Sequence, residues 1–65
     1  MEPRQQRVVD EKDELSTKLR KLGLFIAESE TFPVLPEAER VRLRWRLVFM
    51  ENYRMVLLDR IKAFV

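Results

Sequence analysis

Apolar residues recur in the first part of the chain at Val8, Leu15, Leu19, Leu22 and Ile26, with spacings of 7, 4, 3 and 4. Such steps return to one face of an α-helix, so the stretch from about Pro3 to Ala27 predicts one amphipathic helix. Pro3 suits a first helical turn, where its missing N–H has no partner to lose. Gly23 is a weak point, unfavourable by about 1 kcal/mol against Ala. It also leaves room for another helix to approach closely.

The pattern breaks over residues 28–35, Glu-Ser-Glu-Thr-Phe-Pro-Val-Leu, which Pro33 and Pro36 bracket. Two prolines so close together forbid a continuous helix, and the segment is long enough to reverse the chain. Phe32 and Leu35 are placed to plug the open end of the resulting hairpin. Helical periodicity resumes from Pro36 to about Phe64. Leu43, Leu47, Met50, Leu57, Ile61 and Phe64 fall within roughly 100° of arc. Glu37 and Glu39 sit where the helix dipole is positive. Each helix is then about 40 Å long.

The second helix carries a further apolar stripe, Val41, Trp45, Val48, Phe49, Met55 and Val56, on the side away from the first. A lone hairpin leaves that stripe in water, and contiguous exposed apolar surface of this kind marks an interface. The bland alternative is a loosely packed hairpin with one poorly covered face, which leaves a Trp and a Phe exposed. The expected architecture is therefore all-α: a single domain over 1–65, two long antiparallel helices joined by a Pro-bracketed loop. It assembles into a homo-oligomer through Trp45, Val48, Phe49 and Met55.

Composition supports this picture and narrows the chemistry. At 65 residues the chain buries only a modest core, so good helix packing or self-association has to supply stability. There is no Cys and no His, which removes disulfides, thiolate zinc sites and the commonest neutral-pH base and metal ligand. Apolar residues make up 46% and charged residues 37%, the balance of a charged helical chain and not of a disordered one. The start is polar, with no apolar signal segment, and the longest uncharged apolar run, Leu47 to Met50, is far too short to span a bilayer. The expectation is a soluble cytoplasmic protein with no membrane partner.

No constellation for catalysis is visible. Ser16, Thr17, Ser29 and Thr31 lack a base, no Gly-rich phosphate loop occurs, and Glu11, Asp13 and Glu14 read as a solvated charge cluster. The chain is expected not to be an enzyme and to need no cofactor or metal. Basic residues, in contrast, are organised. Arg46, Tyr53 and Arg60 lie 7 residues apart along one line, with Arg42 beside it. Arg4, Arg7 and Lys18 flank the apolar stripe of the first helix, with Phe25 on the same side. Arginines that border an interface among aromatics can hold phosphates and stack bases. The simpler alternative is that these cations lie along apolar surface and pair with neighbouring acids.

Taken together, Arg7-Val8-Val9-Asp10-Glu11-Lys12-x-Glu14-Leu15-x-x-Lys18-Leu19-x-Lys21-Leu22-x-x-Phe25-Ile26, then Phe32-x-x-Leu35, then Met50-x-x-Tyr53-x-x-x-Leu57-x-x-Arg60-Ile61 form a pattern that carries a resemblance over about residues 4–64. It resembles the phage anti-CBASS cyclic-oligonucleotide sponge family. The resemblance implies helical chains that associate in antiparallel pairs, three pairs to a hexamer. It also implies cyclic dinucleotides held between protomers and, in some members, cyclic trinucleotides in separate pockets. Such proteins sequester the signal of a bacterial CBASS nucleotidyltransferase without cleaving it, in the cytoplasm of the infected host. Carried over by residue, Lys18 matches the family's helix-one lysine, which bonds a phosphate or a base. Arg60 matches the basic residue near the chain end, which holds phosphate of the larger ligand. Tyr53 belongs to the shared pattern, and Lys21 is a further candidate. Where the family often has a Tyr near the start of helix one, this chain has Arg4, whose guanidinium can stack on a base. That departure bears on which base is preferred.

Two other functions fit the residues less fully. A helical hairpin that docks its apolar stripe onto a host or phage protein needs no small ligand. A nucleic-acid binder would use the Arg40, Arg42, Arg44, Arg46 run. Those four alternate around the helix, so DNA and RNA duplexes are not expected partners.

Overall fold

A computed structural model of the protein describes residues 2–64. Two α-helices of equal length, α1 (Pro3–Glu28) and α2 (Glu37–Lys62), pack antiparallel along most of their length, and a short 3-10 turn, Phe32–Val34, joins them. The rod measures 47 × 15 × 14 Å. No helix is long and apolar enough to cross a membrane.

The reversal uses no left-handed residue: among the described residues none has a positive φ. Prolines and local hydrogen bonds do the turning instead. The Ser29 N–H donates to Phe25 O (3.1 Å) and ends α1; Thr31 N–H then donates to Ser29 Oγ (3.0 Å). Pro33 lies at the start of the 3-10 turn, where a missing N–H is harmless. The periodicity places Pro36 within the second helix. It lies just outside, as the N-cap, with φ −53° and ψ 144°, and its carbonyl accepts from the N–H groups of Glu39 and Arg40 (3.0 and 3.1 Å). An extended ψ is usual for an N-cap residue, and Leu35, the residue before the proline, is extended too, with ψ 151°.

Phe32 is buried, with 4% of its surface exposed, and closes the loop end of the hairpin; Leu35 is half-buried beside it. Phe25 packs edge-on against Phe32 with ring centroids 6.0 Å apart, and the Arg44 guanidinium lies 5.2 Å from the Phe32 centroid. Arg40 Nη1 donates to Pro33 O (3.4 Å). Arg40 and Arg44 thus serve the loop, while Arg42 points elsewhere and pairs with Glu39 (2.9 Å). This agrees with the alternation of the four arginines around the helix.

The core is thin. Val8, Phe32 and Leu57 are the buried apolar residues among those described, and the remaining core-facing residues of both helices are half-buried. On the opposite side of α2, Val41, Trp45, Val48, Phe49, Met55 and Val56 are all exposed, Trp45 and Phe49 by 56% and 63%. Their rings stack on each other, centroids 5.8 Å apart and planes 22° apart. Both faces of α2 are therefore apolar, and α1 covers only one of them.

Candidate functional site

One contact sets the register of the two helices. Tyr53 Oη donates a hydrogen bond to Glu11 Oε1 across the hairpin. Residue numbers facing each other therefore sum to about 64, which also matches the helix ends at Glu28 and Glu37 (sum 65). In this register Arg4 lies level with Arg60 (sum 64), and Lys18 with Arg46 (sum 64).

The same side of the hairpin thus carries three rungs: Arg4 with Arg60, Glu11 with Tyr53, and Lys18 with Arg46. A step of seven residues advances about 10.5 Å along a helix and drifts only about 20° around it. Positions 4, 11 and 18 therefore form one line on α1, and 46, 53 and 60 a matching line on α2. All six side chains are exposed. Among the described residues, Arg4, Lys18, Lys21, Arg46 and Arg60 form no ion pair within the chain; the pairs formed are Lys12–Asp13, Arg42–Glu39 and Arg54–Glu51.

Beside the rungs, Arg42, Trp45, Arg46, Phe49, Met50 and Tyr53 line a broad open trough on α2, whose walls are almost wholly apolar. Both ends of the rod carry mixed charge: Glu28, Glu30, Glu37 and Glu39 with Arg40, Arg42 and Arg44 towards the loop, and Arg4, Arg7, Arg60 and Lys62 with Glu2, Asp10 and Asp59 where α1 begins and α2 ends. The acids of α2's first turn and the bases of its last turn match its dipole. Arg4 opposes the dipole of α1, while the negative end of α2's dipole, faced by Arg60 and Lys62, lies at the same end of the rod.

Tyr53 is the electrostatic hinge of the site. Its hydrogen bond to the Glu11 carboxylate pushes the phenol pKa above its ordinary value of 10.0; partial desolvation and the Glu11 charge add to the rise, and nearby Arg60 opposes it. The phenol stays a neutral donor at physiological pH. On the other flank, the hydrogen bond from Arg54 holds Glu51 below its usual carboxylate range. That pair borders a second groove between the helices, formed by Leu19, Arg20, Gly23, Leu24, Leu47 and Val48. Gly23 is half-buried there, and a Cβ built on it meets nothing within 4 Å.

Of the residues singled out from the sequence, Tyr53 and Arg60 share one line and lie near each other, and Arg4 faces Arg60 in the register. Lys18 belongs to the far rung. Lys21 is exposed on α1 but off that line. Phe25 is engaged with Phe32. Glu11 was grouped with solvated acids; Asp13 and Glu14 are exposed, but Glu11 reaches across to Tyr53. Its position midway between Arg4 and Lys18 at heptad spacing is a signal present in the sequence, although its partner appears only once the hairpin register is known.

The described residues form a thin two-helix rod with a cationic, aromatic side face and an uncovered apolar face. A family model described as Sequestin matches residues 2–63, and the chain belongs to this family. The family's name is consistent with a sequestering role. No curated protein and no solved structure matches the chain.

Proposed function

We propose that the chain sequesters cyclic di- or trinucleotide second messengers, by binding without cleavage, and so blocks CBASS signalling in the cytoplasm of an infected bacterium. The observation that carries this reading is the set of cationic rungs on either side of Tyr53, uncompensated within the chain. A cyclic dinucleotide presents phosphates and flat bases, and the rungs offer guanidinium and ammonium groups around an aromatic ring. The family to which the chain belongs supports sequestration. The side-chain chemistry supports binding alone: the hydroxyls of Ser16 and Thr17 donate to the carbonyls of Lys12 and Asp13 (2.8 and 3.1 Å), and the chain has no His or Cys to activate them.

The working unit in this proposal is a homo-oligomer, a hexamer by resemblance, with Trp45, Val48, Phe49 and Met55 at the interface. A single hairpin offers only open surfaces. Closed symmetry brings two copies of each rung together, which suits a ligand with near two-fold symmetry of its own. Arg4, Lys18, Lys21, Tyr53 and Arg60 are the proposed ligand-binding residues.

Calorimetric titration with cyclic dinucleotides of both linkage types, cyclic tri-adenylate and linear controls tests the reading. A cyclic species binds and the linear controls do not. Lys18→Ala and Arg60→Ala weaken that binding while the oligomer keeps its size. Each removes a charge-assisted hydrogen bond, so a loss of about tenfold or more is expected. Silence across the panel with the assembly intact overturns the proposal. It would favour the competing function, a helical module that docks its exposed Trp45–Phe49 face onto another protein.

A further inference from the structure

An acid stands at the centre of the basic face. Glu11 is exposed, with Arg4 seven residues before it and Lys18 seven residues after it on the same line. A bare carboxylate there repels phosphate and weakens any anion site around it. It accepts a hydrogen bond from the Tyr53 phenol.

We infer that Glu11 is the positioning residue of the nucleotide site: it holds the Tyr53 ring between the two cationic rungs as the surface on which a base stacks. This rests on the sequestering function proposed above and assigns within it a role to a residue that touches no phosphate. Tyr53 is 46% exposed and has no aromatic partner among the described residues, so without a tether its ring samples several rotamers. A ring fixed before the ligand arrives loses less freedom on binding. The tether joins the two helices and leaves the ring open to solvent. Arg60 lies close enough to the phenol to act on it. The negative charge that remains on the middle rung directs phosphates to Arg4 and Arg60 or to Lys18 and Arg46, and leaves the middle to a neutral base.

Charge alone and positioning predict opposite outcomes. If Glu11 is merely a nearby negative charge, Glu11→Ala removes repulsion and tightens binding of an anionic ligand. If Glu11 holds Tyr53, the same change loosens it. The wild type, Glu11→Ala, Glu11→Gln, Tyr53→Phe and the Glu11→Ala/Tyr53→Phe double variant are titrated with cyclic di-AMP and cyclic tri-adenylate, with oligomer size checked for each. Loss of one intramolecular hydrogen bond corresponds to a weakening of about three- to tenfold in Glu11→Ala and in Tyr53→Phe. The double variant is no weaker than either single one, because the two act through one contact. Glu11→Gln keeps an acceptor and sheds the charge, so it binds at least as tightly as the wild type. In the free protein, absorbance titration of the only tyrosine reads the clasp without ligand: its midpoint lies above 10.0 in the wild type and falls in Glu11→Ala. Unchanged or tighter binding by Glu11→Ala, with the wild type binding, overturns the positioning role and leaves sequestration standing. A wild type silent to both ligands and to the wider panel overturns both.

Discussion

Among the described residues Leu57 is the one large side chain with no exposed surface, so the core hinges on it. It lies level with Val8, itself 7% exposed, near the end of the rod away from the loop. Leu57→Ala deletes buried methyl groups and leaves a cavity between two helices that have little else to close it. Such truncations cost about 2–5 kcal/mol. At about 0.05–0.15 kcal/mol per residue, a chain of this length has roughly 3–10 kcal/mol in total. The substitution therefore removes a large share of the stability of a hairpin, and in the lower range all of it. For a domain of this size each kcal/mol moves Tm by about 4–8 °C, so the midpoint falls by about 10 °C or more. Thermal and urea melts followed by circular dichroism read the loss directly. Met55→Ala is the control: Met55 is 58% exposed on the opposite face of the same helix. Under dilute conditions it moves Tm by no more than about 4 °C, the effect of a change within about 0.5 kcal/mol. A Leu57→Ala variant that melts within about 4 °C of the wild type would refute the packing described for this core.

Other outcomes follow from the two surfaces that α1 and α2 leave open. Gly23→Ala meets no atom within 4 Å and replaces a poor helix former in mid-helix, so it raises the Tm of the dilute chain by about 4–8 °C. If a second copy packs into the groove at Gly23, the same change lowers the assembled fraction in sedimentation, the opposite sign from its effect on the chain alone. Trp45→Ala removes a ring that touches only Phe49 among its aromatic neighbours. It leaves the helicity of the dilute chain nearly unchanged and shifts sedimentation toward smaller species; an unchanged distribution would exclude this face as the interface.

Local rules made much of the fold legible. The 3-and-4 spacing of Val8, Leu15, Leu19, Leu22 and Ile26, and of the matching stripe from Leu43 to Phe64, follows from helix geometry, and every one of these residues is buried or half-buried. The apolar stripe of Trp45 and Phe49 was equally readable, because a helix covered on one side cannot hide residues on the other. The start of α2 was less legible. A proline is compatible with both the N-cap and the first turn, and only the extended ψ of 144° decides between them at Pro36.

The central pair of the site required information of another kind. Arg46, Tyr53 and Arg60 are visible as a line in the sequence, and so are Arg4, Glu11 and Lys18, but periodicity within one helix says nothing about how two helices slide past each other. A shift of the loop by one turn of helix would place Glu11 beside a different residue of α2 and break up the rungs. The register is set at the loop end, where Phe32 buries itself against Phe25 beneath Arg44. Residues far from the rungs thus decide that an acid meets a phenol and not a guanidinium. Had Glu11 faced Arg46 or Arg60, the face would have neutralised itself with an ion pair. Because it faces Tyr53, the carboxylate is engaged without consuming a cation, and among the described residues Arg4, Lys18, Arg46 and Arg60 keep no ion pair within the chain, which is what the proposed sequestration requires.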